Sequence, residues 1–290
     1  DAGTLGPDEH GEVYVLADGG ECDLDLGNYE RATGVRLTKH HNITTGKVFR
    51  DILARERRGD FLGKTVDHRV LLGHITDAIR HAAHLPVSRH TSITVPPSTP
   101  DVCFLELGGT VGDPLNALFL EALAALQHGD DEVRIIHMCL VPCLPNGEFK
   151  TRPCQRSVSE LRAAGIVPHY LALRSPAPLP EETMGKLRTC FPRTGLWCIP
   201  DRPMIRILPT PLGPLVVAAA LAGVTGNQSR EKVTFVPPVL SGPWVTVAVV
   251  GKYRRASDAY HSVAAVLRHV ATSLGINMHL QFVSTEEWRG

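Results

Sequence analysis

Three short runs of this chain gather the residue types that handle phosphate and divalent cations. In Glu21-Cys22-Asp23-Leu24-Asp25-Leu26-Gly27 two carboxylates stand two residues apart. Held extended, the run would turn Asp23 and Asp25 to the same side, because strand side chains alternate. Paired oxygen ligands of that kind suit Mg²⁺, a hard cation that shares its coordination sphere with phosphates; a solvated acidic turn would show the same residues. In Leu105-Glu106-Leu107-Gly108-Gly109-Thr110-Val111-Gly112-Asp113 a carboxylate closes an apolar run and a glycine-rich loop follows. Ligands of open α/β sheets sit beyond the carboxyl ends of strands, and glycines let backbone N–H groups approach phosphate. Such loops are common, so the weight falls on Glu106, a charge whose burial in an apolar strand is costly. In Phe149-Lys150-Thr151-Arg152-Pro153-Cys154-Gln155-Arg156-Ser157-Val158 two cations flank a threonine just ahead of a helix expected to begin near Gln155. Lysine, arginine and a helix N-terminus together suit a triphosphate, and equally an ordinary basic loop that caps a helix.

Other chemistry is missing from the sequence. It holds no G-x-x-x-x-G-K-[ST] to cradle ATP phosphates and no G-x-C-x-G nucleophile elbow, so no residue is assigned as catalytic. The seven cysteines, Cys22, Cys103, Cys139, Cys143, Cys154, Cys190 and Cys198, form no C-x-x-C pair and lack the setting of an activated thiolate. The fourteen histidines are scattered without zinc spacing.

The elements that must position these runs alternate along the chain. After a polar, Gly-rich stretch with a strand-like Glu12–Leu16, spacing predicts helices over 47–58, capped by Thr44 or Thr45 and ending at Gly59, and over about 74–84. Asp101–Leu107 reads as a strand buried on both faces of a parallel sheet. Helices at 116–127, 155–164 and 181–190 then alternate with strands at 133–141, 167–174 and 196–199. That alternation predicts a mostly parallel α/β sheet with helices on both faces. Residues 200–243, rich in proline, read as a last helix and a linker; Trp244–Gly251 is a fresh buried strand, followed by a helix over 257–273 and a strand over 278–283. These open a second α/β domain.

Bulk properties narrow the class. The 290 residues are 43% hydrophobic and 21% charged, as in a globular protein of one or two domains. Thirty basic and thirty acidic residues cancel, so net charge points to neither a nucleic acid nor a membrane partner. An odd cysteine count without a signal peptide or a spanning apolar run leads to an expected cytoplasmic location. The start at Asp1 and the stop at Gly290, just after a strand, make both ends look cut.

Taken in order, these motifs resemble the CTP synthase family. The similarity runs through Asp1–Thr4, His10–Val13, Asp18–Arg31, Asn42–Lys47, Glu56–Val66, His74–Ile79, Glu106–Asp113, the basic loop 150–158, Gly251-Lys252-Tyr253 and Asp258-Ala259-Tyr260. It covers most of 1–191 and resumes at 245–270. The resemblance implies a Rossmann-like, P-loop-type amidoligase domain over 1–200, a divergent end and linker over 201–243, and over 244–290 the start of a glutamine amidotransferase-like domain.

It also implies a reaction: ATP phosphorylates O4 of UTP, ammonia from glutamine displaces the phosphate, and CTP results. On that resemblance Asp25 and Glu106 are the Mg²⁺ ligands, with Asp25 also on the ATP side beside Asp201. Lys150, Thr151, Arg152, Pro153, Cys154, Gln155 and Lys186 hold UTP or CTP, and Asp113 begins the CTP feedback contact. Arg57, Arg58 and Leu62 fall where the family couples the allosteric activator GTP to ammonia transfer. The family's homo-oligomers, dimers, tetramers and filaments, are implied too.

Several stretches depart from the family pattern. The family's ATP loop would precede Asp1, which leads to the expectation that this chain alone is inactive. Asp67–Gly73 replaces a run that carries a triphosphate contact, Pro114-Leu115-Asn116 replaces isoleucine–glutamate–serine, Cys154 replaces a threonine, and 202–243 hardly matches. These changes keep open a second reading, a catalytically dead paralogue acting as a nucleotide-binding or assembly partner.

Overall fold

The computed structural model describes residues 5–89, 96–129, 132–201, 242–253 and 258–285. The helix and linker expected within 202–241 lie outside the described residues. The chain divides into two compact units, one made of Asp1–Leu105 with Pro238–Gly290 and the other of Glu106–Pro237.

The second unit is built on three parallel strands, β5 (Ile136–Leu140), β6 (Tyr170–Ser175) and β7 (Gly195–Pro200), in the order β5-β6-β7. Met138 stands opposite Ala172, and Ala172 opposite Trp197. The crossovers are α6 (Arg152–Ala163) and α7 (Glu181–Cys190). Both helices feed one core: Cys154 and Val158 of α6 and Leu187 of α7 pack with Cys139, Val141, Leu171, Leu173 and Phe191. The central strand is buried on both faces, since Leu171, Ala172 and Leu173 in succession are at most 1% exposed. That is the signature of a parallel strand inside an α/β layer. Along β5 burial alternates, so His137 and Cys139 face inward while Met138 and Leu140 are exposed. Helix α5 (Ala117–His128) adds Leu120 to a second cluster with Leu161 and Ile166. The fold is α/β and Rossmann-like, as the alternation predicts.

The first unit opens with a short helix, α1 (Pro7–His10), and an antiparallel hairpin, β1 (Val13–Val15) with β2 (Glu21–Asp23). Helix α2 (Leu24–Thr33) starts at once, because the Asp23 side chain accepts from the Asp25 N–H at 3.0 Å and caps it. After α2, β3 (Val35–Arg36) pairs antiparallel with β4 (Ser88–Arg89). Thr44 caps α3 (Thr45–Arg58), which ends at Gly59 as the spacing predicts. Helix α4 (His68–His84) begins six residues before the expected 74, because Asp67 caps it through the Arg69 N–H. Gly73, a residue that weakens a helical pattern, stands between that start and the periodic run from His74. The remainder is a parallel pair, β8 (Trp244–Gly251) and β9 (Asn277–Ser284), joined by α8 (His261–Ser273).

Two expected strands behave differently. Asp101–Leu107 is not a strand: residues 102–108 are irregular, and 101–106 are exposed. An apolar run is buried as a strand only when neighbours share its ladder, and among the described residues none pairs with it. The strand at Trp244–Gly251 forms as expected but is not buried, with Trp244 74% and Val250 56% exposed.

Candidate functional site

The basic loop sits at the carboxyl edge of the parallel sheet. After β5 the chain makes a small excursion that closes on itself, with a bridge between Cys143 and Phe149 and the Lys150 N–H donating to the Pro142 carbonyl at 2.9 Å. Helix α6 then begins at Arg152, three residues before the expected Gln155, because Pro153 in the first turn has its φ already set for a helix. The Thr151 side chain leaves the first-turn backbone amides uncapped and instead accepts from Gln155 Nε2 at 3.1 Å. A helix start of this kind presents backbone N–H groups and the positive end of its dipole.

Around it the charges gather. Lys150 Nζ lies 2.5 Å from Glu148 Oε1, and Lys186 Nζ of α7 lies 2.7 Å from Glu182 Oε1. The hydrogen bond from Lys150, then its charge, holds the Glu148 carboxyl below its ordinary range, with Lys186 adding to the effect. Lys150 and Lys186 are thus each paired with a glutamate close in sequence, Glu148 and Glu182. At the end of β6, Arg174 Nη2 meets Asp201 Oδ1 at 2.5 Å, and the Asp201 N–H donates to the Ser175 carbonyl at 2.6 Å. Sequence reasoning missed Glu148 and Arg174. Arg174 had a signal, a cation near the end of the otherwise apolar run Tyr-Leu-Ala-Leu; Glu148, in a polar turn, had none.

The other candidates lie elsewhere. In the second unit Asp113 caps the turn at Pro114–Asn116 by accepting from the Leu115 N–H at 2.9 Å. With Glu121 and Glu160 it lines an acidic cleft of about 430 Å³. Glu106 is exposed on the irregular stretch before it, not at the end of a buried strand.

In the first unit Asp25 is half-buried in the first turn of α2 and accepts from Asn28 Nδ2 at 3.4 Å. The extended arrangement with Asp23 does not occur, because Asp23 is spent as the helix cap. At the end of α3 Arg58 pairs with Asp60 at 3.0 Å, Arg57 sits 3.5 Å from Glu56, and Leu62 is 86% exposed.

No described group of three or more His, Cys, Asp or Glu residues is arranged to hold a metal. Asp25 and Glu106 each carry a carboxylate, the kind of hard oxygen donor Mg²⁺ takes, but they belong to different units. Burial pushes the Cys22 thiol up to about 11, and the hydrogen bond to Cys154 together with burial pushes Cys139 up as well. Such thiols are inert as nucleophiles. No described helix is long and apolar enough to cross a membrane.

A family model described as CTP synthase N-terminus matches residues 1–195. The chain belongs to the CTP synthase family. Among similar proteins named CTP synthase, that of Methanoculleus marisnigri is 40% identical over 295 residues, covering 99% of this chain and 54% of its own length. The Neurospora crassa protein is 39% identical over 308 residues, covering 99% and 52%, and the Schizosaccharomyces pombe protein 39% over 308 residues, covering 98% and 49%. The chain spans about half the length of these CTP synthase relatives. The three motifs first singled out on chemical grounds all fall inside the matched 1–195.

Proposed function

We propose that this chain forms the UTP- and magnesium-binding side of a glutamine-hydrolysing CTP synthase, a ligase of pyrimidine nucleotide synthesis. Residues 1–200 would be its amidoligase domain, 201–243 a linker and 244–290 the start of an amidotransferase-like domain. In the reaction the terminal phosphoryl of ATP passes to O4 of UTP, ammonia adds at C4, and inorganic phosphate leaves with the electron pair of the C4–O4 bond. ADP and CTP are the products. Phosphoryl transfer asks of a protein mainly position and charge.

Within this reading Lys150, Arg152 and Lys186 neutralise the UTP triphosphate while the first-turn amides of α6 bind its oxygens, with Thr151, Pro153, Cys154 and Gln155 shaping the approach. Asp25 and Glu106 would hold Mg²⁺, which when bound offsets charge on the transferring phosphoryl. Asp201 would serve the ATP side with Asp25, Asp113 the CTP contact, and Arg57, Arg58 and Leu62 the response to GTP. A homo-oligomer in the cytoplasm completes the proposal.

The observation that carries it is the pairing of Lys150 with Glu148 beside the uncapped start of α6, at the carboxyl edge of the sheet. The test is steady-state kinetics of the full-length gene product with UTP, ATP and ammonia. Lys150→Ala is expected to raise KM for UTP by about tenfold or more, the loss of one charge-assisted contact. CTP formation with an unchanged KM would contradict the assignment.

A second reading, a nucleotide-binding paralogue without turnover, has one observation in its favour. Arg69 is held by Asp67 through contacts of 2.7 and 2.9 Å in the stretch that departs from the family. The same assay separates the two, since the paralogue binds UTP and forms no CTP.

A further inference from the structure

One contact of the first unit joins residues 250 positions apart and serves neither the nucleotide loop nor the core. Helix α8 starts without a cap of its own: Tyr260, at the cap position, offers no side-chain acceptor to the first turn. The His261 N–H is satisfied by the Asp258 carbonyl at 3.0 Å. The next amide, that of Ser262, donates to Glu12 Oε2 at 2.6 Å. A carboxylate placed there satisfies an N–H that has no partner within the helix and meets the positive end of the helix dipole. Glu12 thus does for α8 what a neighbouring Asp or Ser does for other helices, from just ahead of β1.

The residue beside it makes room for a second approach. Gly11 is buried with φ 77° and ψ −154°, a region essentially confined to glycine. A Cβ at Gly11 would lie 2.6 Å from Asp258 Oδ1, so a side chain there would have to displace the Asp258 carboxylate. Gly11 and Glu12 together therefore form a two-point seat: bare backbone receives Asp258, and a carboxylate receives Ser262. The turn it grips is braced from its other side, where the Tyr253 N–H donates to Tyr260 Oη at 3.1 Å.

We propose that Glu12 is a positioning residue that holds α8 against the start of the N-terminal hairpin and through it supports the delivery of ammonia from glutamine. This coupling rests on the functional reading above. The seat requires that Glu12 hold α8 in place without touching a nucleotide. Its loss should accordingly disturb delivery of nitrogen from glutamine and spare the reaction with ammonia supplied from solution.

The experiment compares CTP formation from glutamine and from ammonium chloride in the full-length gene product. Glu12→Ala is expected to lower the glutamine-dependent kcat by about tenfold, as for loss of one charge-assisted hydrogen bond. The ammonium-dependent kcat and KM for UTP should stay at the wild-type values. Glu12→Gln, whose amide oxygen still accepts from Ser262, should recover much of the coupling. Gly11→Ala should uncouple as Glu12→Ala does, and adding Asp258→Gly should restore part of it by removing the atoms that the new Cβ meets. Amide exchange at Ser262, measured in the same variants, should quicken in Glu12→Ala and recover in Glu12→Gln.

An unchanged ratio of the two rates in Glu12→Ala overturns the proposal, as does a fall of both rates together. Unchanged exchange at Ser262 overturns the contact itself. Wild-type protein that forms no CTP from either nitrogen source overturns the functional reading, and the coupling with it, while the exchange result still decides whether Glu12 caps α8.

Discussion

At the residue scale the candidate site is a balance of charges. Glu148 pairs with Lys150 and occupies part of the positive potential that a triphosphate would use. Its replacement should therefore favour the anion. Glu148→Gln is expected to tighten UTP binding by about threefold and to steepen its salt dependence, since the Lys150 cation loses its ion-pair partner. Titration calorimetry at two ionic strengths measures both. Buried and half-buried imidazoles set another residue-scale property. Burial lowers His41, His137 and His169 below the ordinary value of 6.5. The unfolded chain then binds more protons than the native one as the pH falls through that value, so stability present above it is lost toward the lower folded values. The urea midpoint should drop between about pH 7 and pH 5. His137, which shares a 2.8 Å hydrogen bond with Ser157, should account for part of the slope, so that His137→Gln flattens it.

At the scale of elements, β6 and α6 hold the site in place. Leu173 is fully buried on the central strand. Leu173→Ala should cost about 2–5 kcal/mol by chemical denaturation, the range for a cavity left in a packed core. Much of this scaffold was legible in the sequence. The helices of the second unit and the three strands between them fall within a few residues of their expected places, because apolar period and caps are local signals. What failed was non-local. Asp101–Leu107 has the composition of a buried strand, but composition does not say which strand pairs with it. Asp23 and Asp25 looked like alternate residues of one strand, but a capping aspartate ends a strand as readily as it joins one, and here it starts α2. Among site residues, the basic loop was legible because its cations sit beside a helix start. The pairing of Arg174 with Asp201 was not, since it depends on how the ends of β6 and β7 meet.

At the scale of the whole molecule, two observations meet. The family match covers residues 1–195 and the chain spans about half the length of its relatives. The β8–β9 pair meanwhile exposes Trp244, Val245, Val250 and Phe282, whereas parallel strands are ordinarily covered on both faces. No sequence pattern could report that exposure, because Trp244–Gly251 reads the same whether covered or bare. The UTP part of the proposal rests on the second unit: a parallel sheet whose carboxyl edge, with the uncapped start of α6, would receive a nucleotide triphosphate. Calorimetric titration of the protein with UTP and with uridine, both with Mg²⁺ present, tests this most directly. The account predicts that UTP binds and uridine does not, and that Lys150→Ala weakens UTP by about tenfold. Equal binding of UTP and uridine, or UTP binding indifferent to Lys150→Ala, would contradict it.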